Sequence, residues 1–86
     1  MSKEVRILGI HISERVKNAN RVQETLTKYG CSIKTRLGMH DVADNYCSPC
    51  GLMLLELVGD VDECTKLENE LHAIENLDVQ KMVFIC

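Results

Sequence analysis

The stretch GLMLLELVG, residues 51–59, constrains this chain more than any other. It is too short to cross a bilayer, which takes about 20 apolar residues as a helix, and its aliphatic residues occupy both alternating sets of positions. A strand apolar on both faces belongs in the middle of a sheet that is covered on both sides. The rest of the chain must therefore supply at least one layer over that strand, and something must supply the other.

The elements around it follow from periodicity. EVRILGIHI, residues 4–12, reads as a strand with faces Val5, Ile7, Gly9, His11 and Arg6, Leu8, Ile10, Ile12. Ser13 offers an N-cap oxygen for a helix over 14–29 with an inward stripe of Val16, Ala19, Val22, Leu26 and Tyr29, and Gly30 stops it. Residues 31–40, CSIKTRLGMH, form a second strand in which Ile33, Leu37 and Met39 alternate against Lys34, Arg36 and His40. After the central strand, Gly59-Asp60 turns the chain, and Asp60 caps a helix whose inner face is Val61, Cys64, Leu67, Leu71 and Ile74. Asn76 closes it. Residues 77–86, LDVQKMVFIC, make a last strand with Val79, Val83, Ile85 on one side and Met82, Phe84, Cys86 on the other.

The order is βαββαβ, and its compact solution is an α+β, ferredoxin-like sandwich: a four-stranded antiparallel sheet in the order 4-1-3-2 with both helices on one face. Residues 1–86 read as a single domain, with a core limited by a chain that buries only about 60 to 65% of its unfolded surface. With the helices on one side, the other face still carries several large aliphatic residues, each worth about 1.5 to 3 kcal/mol when buried. The expected cover is a second copy of the chain, in a homodimer or tetramer.

Composition narrows the function. The net charge of −3 lacks the basic excess of a stand-alone nucleic-acid binder, and one Phe, two Tyr and no Trp leave too few aromatics for base stacking. No apolar run follows a basic N-terminal cluster, so a cytoplasmic protein with no membrane partner is expected. The five cysteines then read as thiols, metal ligands or redox pairs rather than a disulfide framework. Glycine-rich phosphate loops are absent, no Ser–His–acid arrangement can be built from Ser13, Ser32 or Ser48, and the expectation is that the chain is not an enzyme.

The one suggestive cluster precedes the central strand, in HDVADNYCSPC, residues 40–50. Cys47 and Cys50 have the spacing with which two thiolates grip one cation, and His40 with Asp44 or Cys86, or else the CxxC of another subunit, would complete a site for zinc, nickel or iron. If strands one and three run one way and two and four the other, His40, Cys47, Cys50 and Cys86 share one end of the molecule. His11, Cys31 and Cys64 then lie at the far end, His11 about 26 Å away at strand rise. A thioredoxin-like dithiol fits less well, because the motif leads into a strand rather than a helix N-terminus. The plain alternative is that Ser48-Pro49 makes a turn with small residues beside it.

The segments TRLGMHDV, GLMLLELVGD and LDVQKMVF together resemble the small ACT-like family described as iron-only hydrogenase system regulators. The likeness runs through almost the whole chain. It implies an ACT-like homo-oligomer that senses a small ligand and is read by a protein partner, with no catalytic residues to carry over. More distantly, the chain is similar to the sensor domain of nickel-responsive repressors, which places His-x-His late in strand two and Cys at the start of strand three. Here Leu37-Gly38-Met39 stands where that His-x-His would be, and the DNA-binding segment that precedes such sensors has no counterpart in these 86 residues.

Overall fold

The structure is a computed structural model that describes residues 4–13, 15–43 and 46–85, without the side chains of 15–17 and 39–50. Strand β1 (Glu4–Ile12) leads into helix α1 (Arg15–Lys28), a single 3₁₀ turn (Gly30–Ser32), β2 (Ile33–Ala43), β3 (Tyr46–Leu57), helix α2 (Val61–His72) and β4 (Leu77–Ile85). The sheet order is β2-β3-β1-β4, the expected 4-1-3-2 read from the other edge, and each neighbouring pair is antiparallel.

Both helices roof one face, α1 over β3 and α2 over β4. The core between the layers takes Leu8, Ile10 and Ile12 from β1, Leu55 and Leu57 from β3, Val79 from β4, Val22, Leu26 and Tyr29 from the first helical segment, and Cys64, Leu67, Leu71 and Ile74 from the second. The stripe on α1 differs from the expected one by a residue, because Asn18 is buried and Ala19 exposed. A progression 18, 22, 26, 29 keeps the three-and-four spacing while rotating the face slightly. On α2 the expected face holds except at Val61, which is exposed in the first turn.

Local chemistry fixes where α2 starts, while the helix ends at His72, four residues before Asn76, the residue expected to close it. Gly59 sits at φ 88°, in the left-handed region that glycine enters without steric cost. Asp60 then caps the helix by accepting from the Asp62 backbone N–H at 2.9 Å, and Asp62 and Glu63 complement the helix dipole. Asn76, at φ 64°, turns the chain out toward β4, as its tolerance of left-handed backbone allows.

The polar connection expected over 41–50 is mostly strand. Beyond Ile12↔Gly51, where β1 ends, β2 and β3 continue as a two-stranded arm through Val42↔Cys47 to Ala43↔Tyr46. Between His40↔Gly51 and Val42↔Cys47 one strand advances two residues and the other four, a bulge that contains Ser48-Pro49. Proline is tolerated there because a bulge needs no ladder donor and β3 has lost β1 as a neighbour. Ser48-Pro49 therefore lies within β3 and is not the turn.

Candidate functional site

The face of the sheet away from the helices is the feature that the fold leaves open. Alternation and register place Val5, Ile7, Gly9 and His11 of β1 on it, beside Leu52, Leu54 and Glu56 of β3, with Leu37 of β2 beyond and Asp78, Gln80, Met82 and Phe84 of β4 on the other flank. Four of its apolar members are accessible: Leu37 is 52% exposed, Leu52 40%, Met82 51% and Phe84 53%. An early irregularity in β2, between Ile33 and Thr35, explains one departure from the expected alternation. Ile33 packs against the core while Leu37 stands on the open face opposite Leu54, because a bulge shifts all later residues relative to the period of two.

Within this face lies a hollow of about 300 Å³, lined by Gly9, His11, Leu52, Asp78, Gln80, Lys81 and Met82. Gly9 makes its floor. A Cβ there would meet only the Leu54 Cδ2 at 3.7 Å and the Gln80 carbonyl oxygen at 3.9 Å, so the missing side chain leaves space between neighbours. His11 and Asp78 are directly opposite across the β1–β4 pair, and Gly9 is opposite Gln80 two rows away on the same face. The Gln80 Nε2 donates to Asp78 Oδ2 at 3.5 Å. The hollow thus combines an imidazole, a carboxylate and an amide with the apolar walls Leu52 and Met82. That mixture of apolar walls and a few polar groups suits a small ligand, and the volume lies at the lower end for such sites.

Sequence reasoning placed His11 at the wrong end. The crossover through α1 returns the chain parallel to β1, and the tight β2–β3 hairpin reverses it, so β1 and β3 are antiparallel rather than parallel. The hairpin arm therefore projects from the end where β1 finishes, next to His11 and Ile12. Ile85 instead pairs with Glu4, eight rows from the Ile12↔Gly51 pair and so about 26 Å away. His40, Cys47 and Cys50 share the arm's end by register, with the Ile85 end of β4 opposite. The side chains of His40, Cys47 and Cys50, and the whole of Asp44 and Cys86, lie outside the described residues.

Of the remaining thiols, Cys31 is exposed and Cys64 buried. Burial pushes the Cys64 thiol up, and its Sγ contacts the Val58 carbonyl oxygen at 3.6 Å; both keep it protonated and unreactive. Among the described residues no group of three or more His, Cys, Asp or Glu is arranged to hold a metal ion. His72 is exposed on α2 with Glu68 Oε2 at 3.7 Å.

The helix roof carries a second polar cluster. Lys28 at the end of α1 donates to Glu70 Oε1 of α2 at 2.9 Å. The Tyr29 hydroxyl and then the Lys28 ammonium hold the Glu70 carboxyl below its ordinary range, and Glu70 in turn raises both partners. These contacts tie the two helices together.

No protein-family model matches the chain, and no curated protein matches it in sequence. Solved structures do. An uncharacterized protein, TM1266 from Thermotoga maritima, superposes with a TM-score of 0.79 at 24% identity, over 95% of this chain and 99% of that one. The ACT domain from GTP pyrophosphokinase of Chlorobium tepidum gives 0.65 at 16% identity over 91% and 96%. CPII, a nitrogen regulatory PII-like protein from Thiomonas intermedia K12 bound to ADP, AMP and bicarbonate, gives 0.62 at 9% over 100% and 96%. The chain has the ferredoxin-like fold that ACT and PII-like proteins share. None of its described helices is long and apolar enough to cross a membrane.

Proposed function

We propose that residues 1–86 act as one homo-oligomeric, ACT-like regulatory domain that senses a small ligand, and that the chain is not an enzyme. The observation that carries this reading is the open sheet face, where exposed Leu37, Leu52, Met82 and Phe84 surround the His11–Asp78 hollow. Burying such a face against a second copy removes apolar area from water, and the same contact closes the mouth of the hollow. Ligand binding then alters how the copies pack, and a protein partner reads the change. The fold shared with an ACT domain and with a PII-like protein that binds ADP and AMP supports a sensing role.

The finer reading is a cytoplasmic regulator of an iron-only hydrogenase system, acting on protein rather than on nucleic acid. It rests on the resemblance carried by TRLGMHDV, GLMLLELVGD and LDVQKMVF. Multi-angle light scattering on the purified chain tests the assembly on which all of this depends. The expected result is a dimer or larger at micromolar concentration, and a clean monomer would remove the reading.

A second reading makes the hairpin arm a metal or thiol-redox site, and the register that brings the backbone of His40, Cys47 and Cys50 to one end favours it. Zinc, nickel or iron retained in stoichiometric amount by the reduced protein, and lost in Cys47→Ser/Cys50→Ser, would support it. Equal trace metal in both samples would dismiss it.

A further inference from the structure

The polar groups of the hollow are not used up by the fold. His11 and Asp78 stand opposite each other on the open face, yet among the described residues no hydrogen bond or ion pair joins them, and His11 has no partner of either kind. Asp78 accepts from the Gln80 amide on Oδ2, which leaves its Oδ1 without a donor among the described residues. Two acceptors thus face the hollow side by side, the free carboxylate oxygen and the lone-pair nitrogen of a neutral imidazole.

The rest of the hollow is apolar and elongated. From the His11–Asp78 row the same face continues through Gly9, opposite Gln80, to Ile7, opposite Met82, a run of four residues and so about 13 Å at strand rise. Gly9 lowers the floor midway, and Leu52, opposite His11, forms the wall on the β3 side. The polar groups are gathered at one end and the thioether of Met82 lies at the other, so an amphipathic occupant has one orientation.

Charge then selects the head group. Lys81 borders the hollow, but it alternates with buried Val79 toward the helix side, where its Nζ pairs with Glu68 Oε1 at 3.3 Å. Among the lining residues that leaves the Asp78 carboxylate as the side chain of fixed charge facing the hollow. A phosphate or carboxylate here would meet a like charge with no cation to offset it, which is costly once the site is covered. An ammonium, with three donors and no acceptor, matches both acceptors at once.

We propose that the hollow takes a small organic cation, a primary amine whose ammonium donates to Asp78 Oδ1 and to the His11 ring while its apolar body lies over Gly9 between Leu52 and Met82. This rests on the small-ligand reading above and gives that ligand a chemical class. It also makes a nucleotide, such as the ADP or AMP bound to CPII, the wrong occupant for this hollow.

Isothermal titration calorimetry on the full chain, with light scattering of the same sample, tests the assignment. The probes are phenethylamine and isoamylamine, with phenylacetate and AMP as anions. The amines should bind saturably and the anions should not. Asp78→Asn keeps the shape of the side chain and should weaken the amines by about tenfold or more, through loss of a charge-assisted hydrogen bond. Gly9→Val should block them by filling the floor, with its circular dichroism spectrum unchanged. Equal affinity in Asp78→Asn and wild type, or an anion bound as tightly as the amines, would overturn the cation site. An oligomeric wild type that binds neither amine would overturn it too while leaving the homo-oligomer reading intact. A monomeric wild type that binds them would remove that reading and keep the cation site.

Discussion

The two faces of the sheet are made from the same strands and both carry large apolar residues, yet one is closed and the other open. On the helix side Leu8, Ile10 and Leu55 have no exposed surface, sealed by Leu67 and Leu71 of α2. On the other side Leu37, Leu52, Met82 and Phe84 remain accessible. Residue type does not separate the two sets; the position of the helices does. The first face is finished within one copy, and the second is left open.

The largest expected effect tests that division. Leu67→Ala removes a side chain that is wholly enclosed and should cost about 2 to 5 kcal/mol in urea unfolding. Leu52→Gln changes a side chain of the same size on the open face and should move the unfolding of the isolated subunit by no more than about 0.5 kcal/mol, while reducing the mass seen by light scattering. Equal losses from the two substitutions, with mass unchanged, would mean that the faces do not differ in this way.

A smaller effect of opposite sign comes from the floor of the hollow. Gly9 has ordinary van der Waals room for a methyl group, and glycine inside a strand is costly in conformational entropy. Gly9→Ala should therefore stabilise the fold by about 0.5 to 1 kcal/mol, read as a rise in melting temperature. A fall instead would show that the open face is packed more tightly over β1 than the hollow implies. A rise would sharpen the contrast, since a stability gain left unused at this position is what a space kept for a ligand looks like.

The strand and helix boundaries were mostly legible because each apolar segment here has a clear period; α1 and β3 end within two residues of Gly30 and Gly59, whereas α2 ends at His72, four residues before Asn76. The open apolar face was legible too, from GLMLLELVG and the alternation of β1. What failed was orientation. Which residues meet depends on whether β1 and β3 are parallel, and composition carries no record of that; the crossover geometry does. Reversing one strand moved His11 from the far end to the root of the hairpin arm and separated the Ile85 end from it. The His11–Asp78 pair was missed for the same reason, although Gly9 in the middle of an aliphatic strand was a signal that a strand interior had left space open. The arm itself was misread as a loop because Pro49 and Asp44-Asn45 signal turns, and only the bulge shows that the proline sits within β3.

The smallest effect lies on the roof of the finished face, where Lys28, Tyr29 and Glu70 join the helices at the surface. Glu70 has a folded-state pKa below its ordinary value, first through the Tyr29 hydroxyl and then through Lys28. Its contribution is complete above the unfolded-state pKa and is lost as pH falls through the lowered one. Lys28 and Tyr29 are shifted upward, chiefly by Glu70, so their contribution is complete below their unfolded-state values and fades as pH rises through the raised ones. Because the Lys28–Glu70 pair is solvent-accessible and screened by salt, its worth is slight. Melting temperatures of the wild type and Glu70→Gln should therefore differ most on a plateau between the carboxylate and the amine–phenol ranges, and converge at both ends. A gap that stays constant from acid to alkali would show that Glu70 acts through packing, and the helix roof would then be held by burial alone, like the core beneath it.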